Sequence, residues 1–323
     1  MRRIDPRTAQ RRPELSQHFL RDAAVARALV RRLPFPPGAL VIEAGAGDGL
    51  ITAALADVGF RVIAVEKDER LFSLLRLRLA SRPAVACHHA DFLVFPLPSV
   101  PYRVVSNVPY AITAALVRRL LHAARPPDDA LLVVQREAAE KFAGTPRDTQ
   151  FSLLYKPWFE ITIVGAVARR DFVPPPRVHS VLLRIRRRAL PLVADCSAPA
   201  YRSFIAATFG RGAPEVSHAL RRYLTARQVK RLGRDLGFRR DCRASQLTFD
   251  QWLGIFRFVE HECLGHDPTR RAVAASSYSR IFFGAPEGWR RKLWTSQRLN
   301  PSASTSSSRA REGAASACPA RAA

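Results

Sequence analysis

The feature that most constrains the fold is a short apolar run at 40–42. It passes into Glu43-Ala44-Gly45-Ala46-Gly47-Asp48-Gly49 and then into helical periodicity over 50–58, ended by Gly59. Glycines between a strand and a helix let the backbone approach a ligand closely, and the helix start presents bare N–H groups to it. Strand, loop and helix make the first half of a βαβ unit. The alternation continues, with strands at 62–65, 85–87, 103–105 and 131–134 and helices at 71–79 and 111–124. This pattern predicts an α/β fold: a parallel sheet covered on both faces, with its ligand at the carboxyl ends of the strands.

The glycine spacing narrows the ligand. A dinucleotide fingerprint needs Gly five positions after the first, but Leu50 stands there, so G-x-G-x-G disfavours NAD and points to a nucleoside. Glu66 lies 21 residues past Gly45, at the end of the second strand, where a carboxylate can accept both ribose hydroxyls. Asp91-Phe92 after the third strand places an acceptor for an adenine amino group and a ring to cover its face. The competing readings are a charged surface run at 66–70 for Glu66 and an Asx turn for Asp91. After the fourth strand comes Asn107-Val108-Pro109-Tyr110. Pro109 holds Val108 extended and supplies no N–H, leaving a carbonyl exposed near the Asn107 amide. Two acceptors facing an exocyclic NH2 localise its lone pair and aim it at an electrophilic methyl, while Tyr110 stacks on the base. No strong general base is required. The bland alternative is a β-turn with a packing Tyr.

Elsewhere, Asp22 caps a helix that stops at Pro34, and strand-like segments at 161–167 and 178–185 flank Phe172-Val173-Pro174-Pro175-Pro176. With no helix-length segment between them, these two are expected to be antiparallel and to close the sheet. Residues 188–263 read as three or four short helices, at 201–209, 216–224 and 229–236, and from the capping box at Thr248 through Val259. The expected organisation is a flexible basic arm at 1–14, an α/β domain at 15–187, a small basic helical domain at 188–263, and a disordered basic tail at 264–323.

Composition favours one class of partner. The net charge is +25, and 47 of the 52 basic residues are Arg, whose planar fork matches phosphate; a nucleic acid is expected. A genome-wide Arg bias is the competing source of this excess. The Cys residues 87, 196, 242, 263 and 318 form no C-x-x-C, so neither a zinc site nor a disulfide scaffold is signalled. No apolar run reaches the ~18 residues needed to span a bilayer, and no signal-peptide core follows the Arg-rich start, so a cytoplasmic protein without a membrane segment is expected. His88 and His89 read as surface residues, Trp158 and Trp252 as core, and the pairs Arg118-Arg119, Arg221-Arg222 and Arg239-Arg240 as solvated faces or phosphate contacts.

Ser16-Gln17-His18-Phe19-Leu20, the 43–49 loop, Asp91-Phe92-Leu93, Asn107-Val108-Pro109-Tyr110-Ala111-Ile112-Thr113 and Phe172-Val173-Pro174-Pro175-Pro176-Arg177-Val178-His179-Ser180 together resemble the ribosomal RNA adenine dimethyltransferases. Within them the sequence is most similar to the Erm group, over about Ser16 to Val259. The resemblance implies a class I, Rossmann-like, S-adenosylmethionine-dependent methyltransferase with a small all-α C-terminal domain. It would act as a monomer, without a metal, on one adenine N6 of 23S rRNA. His18 and Leu20 would contact the cofactor from the N-terminal segment. Gly45 would face its amino-acid portion, Glu66 its ribose, Asp91 its adenine, and Asn107 the junction with the target amine. Tyr110 and Phe172 would sandwich the flipped adenine. The implied consequence is macrolide, lincosamide and streptogramin B resistance. The related alternatives are a 16S rRNA dimethyltransferase of ribosome assembly and a non-catalytic RNA-binding relative. Two departures stand out: His18 where many members have Asn, which makes that contact pH-dependent, and Val108 where Ile or Leu is usual.

Overall fold

Asp22 starts the first helix as its sequence position predicts. Its carboxylate accepts the Ala24 and Val25 N–H groups at 2.9 and 3.0 Å, capping α1 (Ala23–Val30), which buries Ala26, Leu29 and Val30. The computed structural model describes residues 18–209 and 215–261. The arm at 1–14, the tail at 264–323, Ser16, Gln17, Cys263 and Cys318 lie outside the described residues.

The parallel strands are β2 (Leu40–Ala44), β3 (Arg61–Glu66), β4 (Val85–His89), β5 (Arg103–Asn107) and β6 (Asp129–Gln135). Two further strands, β7 (Phe159–Val167) and β9 (Ser180–Arg187), complete a seven-stranded sheet of order β4-β3-β2-β5-β6-β9-β7. β9 runs antiparallel to both β6 and β7, as the short connections around the 172–176 motif require. Strand order reverses between β2 and β5, which is where a doubly wound sheet opens a crevice. A separate antiparallel pair, β1 (Phe19–Leu20) with β8 (Phe172–Val173), ties the N-terminal segment to the motif before β9.

The connecting helices are α2 (Leu50–Asp57), α3 (Glu69–Leu79) and α4 (Thr113–Leu121). The helix expected over 111–124 is shorter than that. Tyr110–Ile112 form a single 3₁₀ turn because the Pro109 carbonyl takes the Ile112 N–H at 3.0 Å, and α4 closes at Leu121. Two helices carried no sequence signal: α5 (Arg136–Ala143) and α6 (Gln150–Tyr155). α5 buries only Ala139, Phe142 and Ala143, too narrow an apolar face to stand out as periodicity.

Four helices follow: α7 (Ala198–Thr208), α8 (Val216–Leu220), α9 (Ala226–Leu236) and α10 (Phe249–Val259). They share one hydrophobic cluster with the sheet, in which Leu132, Trp158 and Leu183 lie together with Tyr201, Phe204, Trp252 and Phe256. All described residues belong to one compact unit. The Tyr201 hydroxyl donates to the Leu153 carbonyl at 2.9 Å. Asp148 accepts from Lys156 Nζ at 2.5 Å and from the Phe249 N–H at 2.8 Å, joining the start of α10 to the α5–α6 region. Trp158 and Trp252 are both core, at 8% and 0% exposed. No described helix is long and apolar enough to cross a membrane.

Candidate active site

Register brings the motifs to one rim. Ala44 pairs with Val65, Glu66 with His89, and Glu43 with Val105, so the glycine loop, Glu66, Asp91 and Asn107 follow the carboxyl ends of four neighbouring strands. The loop folds over β3, with the Gly45 and Ala46 N–H groups donating to the Val65 carbonyl at 2.9 and 3.1 Å. Gly45 has φ +69°, a left-handed conformation suited to glycine at this turn. Gly49 is needed for space as well: a Cβ there would lie 2.8 Å from Leu75 Cδ1 of α3.

The decisive contact joins residues 89 positions apart. Asn107 Nδ2 donates to the His18 backbone carbonyl at 2.7 Å, which fixes the amide's orientation and leaves Oδ1 as its acceptor end. The Val108 N–H donates to the Val133 carbonyl at 3.1 Å, and the Pro109 carbonyl is taken by Ile112. Among the described residues nothing donates to the Val108 carbonyl. The Tyr110 ring lies 5.3 Å from the His18 ring, and its hydroxyl meets Ser180 Oγ at 2.7 Å. His18 Nδ1 in turn lies 2.9 Å from the Pro174 carbonyl, which makes it the donor there. The 172–180 motif thus braces the site at two points, through Pro174 and Ser180.

Acid groups line the floor. The Glu66 carboxylate, 6% exposed, accepts from the N–H groups of Gly47, Lys67 and Asp68, each at 2.8 Å. Burial raises its pKa, and those backbone bonds pull it back. Asp91 is also desolvated, but the Lys67 ammonium at 2.8 Å and the Leu93 N–H bring its pKa below the ordinary value. The Leu93 bond is the Asx turn considered from the sequence. Glu43 is a residue to which the sequence assigned no role. It is 1% exposed and accepts the Thr52 hydroxyl at 2.5 Å. Its position was legible only as the first letter of the loop motif. Burial pushes its carboxyl well above 4.5, helped by Glu66 and Asp48 nearby and opposed by Thr52.

A raised folded-state pKa means that the stabilising contribution is complete below about 4.5, the unfolded value, and is lost as pH rises through the folded value. Glu43→Gln is therefore expected to melt above wild type at neutral pH, with the difference vanishing as pH falls toward 4.5. Thermal melts across that range check this, and parallel pH profiles for the two proteins would overturn it.

Three of the expected side chains are buried. The Phe172 ring is 1% exposed, packed into a core cluster with Leu20, Leu29 and Leu182 because β8 pairs with β1. It presents no open face to a base. Phe92, expected to cover an adenine, is 4% exposed, with Arg119 5.9 Å over its ring. The Leu20 side chain also turns inward. Its neighbour Phe19 points the other way and lays its ring 3.4 Å from where a Gly47 Cβ would stand. Strand alternation within the 18–20 segment is the signal that would have singled out Phe19. His88 and His89 are exposed, with His89 stacked on Phe72 at 5.1 Å and bonded to the Lys67 carbonyl.

The profile of the ribosomal RNA adenine dimethylases matches residues 8–261. The chain belongs to that family. Among its relatives, an rRNA adenine N-6-methyltransferase of Aeromicrobium erythreum is 38% identical over 252 residues, 76% of this chain and 73% of that one. The mycinamicin-resistance protein MyrB of Micromonospora griseorubida is 33% identical over 272 residues, 82% and 84% of the two chains. The crystal structure of the 23S rRNA methyltransferase ErmE superposes with a TM-score of 0.69 at 33% identity, covering 75% of this chain and 99% of ErmE. Family membership gives the Asn107–His18 contact its context: a Rossmann-like methyltransferase fold that positions an amide at the switch point of its sheet.

Proposed function

We propose that this enzyme transfers a methyl group from S-adenosylmethionine to N6 of one adenine in the peptidyl-transferase loop of 23S rRNA, producing macrolide, lincosamide and streptogramin B resistance. The observation that carries this reading is the Asn107 amide, pinned by the His18 carbonyl beside Tyr110 and the glycine loop. The 23S rRNA and resistance named for ErmE and MyrB support the choice of substrate. The enzyme is expected to act as a cytoplasmic monomer.

The rim fits the cofactor. Gly45 leaves a cradle without a side chain, buried Glu66 offers acceptors for ribose hydroxyls, and Asp91 stands one strand further out for the adenine amine. His18 and Leu20 would close the site from the N-terminal segment. When bound, the cofactor supplies an electrophilic methyl group. Asn107 Oδ1 and the Val108 carbonyl accept the target amine's N–H groups and direct its lone pair, while Tyr110 stacks on one face of the base. Asp91 accepts from Lys67 on one oxygen and from the Leu93 N–H on the other, and each oxygen keeps a lone pair for the adenine amine. With β1 and β8 paired, Phe172 supports this wall from within, and its use as a second stacking face requires the pair to part. Methylation of N6 removes hydrogen-bond donors and adds bulk, the chemical basis of the resistance.

The test is transfer of labelled methyl to protein-free 23S rRNA beside assembling 30S particles, with mapping of the modified base. Label at one adenine of the peptidyl-transferase loop is expected. Label in 30S would make the enzyme a 16S dimethyltransferase, and label in neither despite RNA binding would make it a non-catalytic relative. Tyr110→Ala should lower kcat about 100-fold by freeing the base to shift, with RNA affinity within about threefold of wild type.

A further inference from the structure

We propose that the outer face of α9, continued by the loop that follows it, is a phosphate-binding surface that grips the substrate RNA backbone away from the target adenine. This deepens the rRNA reading and rests on it. Arg227, Lys230, Arg231 and Arg234 recur at i, i+3, i+4 and i+7, so they share one face of α9, and all four are exposed. Val229, Leu232 and Gly233 are buried on the opposite face. That face admits no rotation of the stripe, since a Cβ on Gly233 would lie 2.7 Å from the Phe238 carbonyl of the returning loop.

The loop extends the charge. The Ser217 N–H donates to the Arg240 carbonyl at 3.0 Å and the Val216 N–H to the Cys242 carbonyl at 2.9 Å, laying exposed Arg239, Arg240 and Arg243 along the start of α8. Two acids sit among these cations. Asp235 faces Arg231 at 3.6 Å and Asp241 faces Arg239 at 2.7 Å, with every one of these side chains at least half exposed. Such pairs are weak and screened, so phosphate can displace the carboxylates. Among the described residues Arg227, Lys230 and Arg234 form no ion pair with an acid.

The surface chemistry selects the partner. No large apolar side chain is exposed between 215 and 243, so the helix lacks the apolar face an interfacial membrane helix needs. It likewise offers no exposed aromatic platform for bases. What remains are Arg forks and one ammonium, which position a backbone without reading sequence.

The test uses the full chain with all four stripe residues changed to Gln, a residue of similar helix propensity that sits on the exposed face and leaves the core intact. Binding of protein-free 23S rRNA is measured against salt, alongside steady-state methylation. The slope of log affinity against log salt should become shallower by about 3, the KM for RNA should rise at least about 10-fold, and kcat at saturating RNA should stay within about twofold. A double variant, Arg61→Gln with Arg187→Gln, removes charge where β3 starts and β9 ends, on the rim opposite the carboxyl ends of the parallel strands, and should leave slope and KM unchanged. An unchanged slope in the stripe variant overturns the proposal, assigning the face to another acidic partner. An equal drop per charge in the double variant also overturns it, since net charge alone would then suffice. A wild type that labels no 23S adenine fails the substrate reading instead, independently of the stripe.

Discussion

Asn107→Ala is expected to lower kcat about 100- to 1,000-fold, the loss typical of removing one preorganised polar group from a developing charge, while RNA affinity stays nearly unchanged. The reason lies in the amide's two ends. Nδ2 donates to the His18 carbonyl at 2.7 Å, so Oδ1 can face the target amine only while that bond holds. Asn107→Asp keeps an acceptor but loses the donor and sets a carboxylate against the His18 carbonyl, so it should be impaired to a similar degree. Single-turnover rates at saturating RNA and cofactor, with separately measured affinities, separate the step from binding. An Ala variant within about threefold of the wild-type rate would remove Asn107 from the chemistry.

Trp252→Ala should destabilise the protein by about 3–5 kcal/mol, because a large ring leaves a cavity that rigid neighbours do not fill. Trp252 is fully buried, edge-on to Phe204 at 5.9 Å and to Phe209 at 6.1 Å. Phe204 continues through Phe256 and Tyr201 to Trp158 beside the sheet, so the cavity would open within the cluster that holds the helical segment to the methyltransferase core. Among the described residues the indole N–H has no hydrogen-bond partner. Trp252→Phe loses volume but also removes that buried orphan, itself a cost of about 1–3 kcal/mol, so it should stay within about 1.5 kcal/mol of wild type. Denaturant unfolding of the two variants measures both effects. Equal losses in Phe and Ala would show that the unpaired N–H is not a liability here.

Much of the fold was legible because its signals are local. Apolar runs marked β2 to β6, Asp22 and Thr248 marked helix starts, and the 43–49 loop announced itself through glycines whose positive φ angles the structure shows. α5 and α6 were illegible for the same reason: α5 buries only a narrow apolar face and α6 is too short to show periodicity, so both acquire helical stability from packing, α5 against β7 and α6 against α7. Sequence order also placed Glu66, Asp91 and Asn107 at strand ends, since a parallel sheet returns every such end to one rim.

What the sequence by itself determined was the alternation of elements, the rim on which the chemistry-bearing residues stand, and the family. Only the tertiary structure decided how those residues meet. It set the His18 carbonyl against Asn107, Pro174 against His18 and Ser180 against Tyr110, turned Phe172 and Phe92 into the core, and buried Glu43 beside Thr52. The physical reason is range. Periodicity and turn chemistry are settled by neighbours along the chain, whereas a hydrogen bond across 89 residues exists only once β1 has paired with β8 and folded over the sheet.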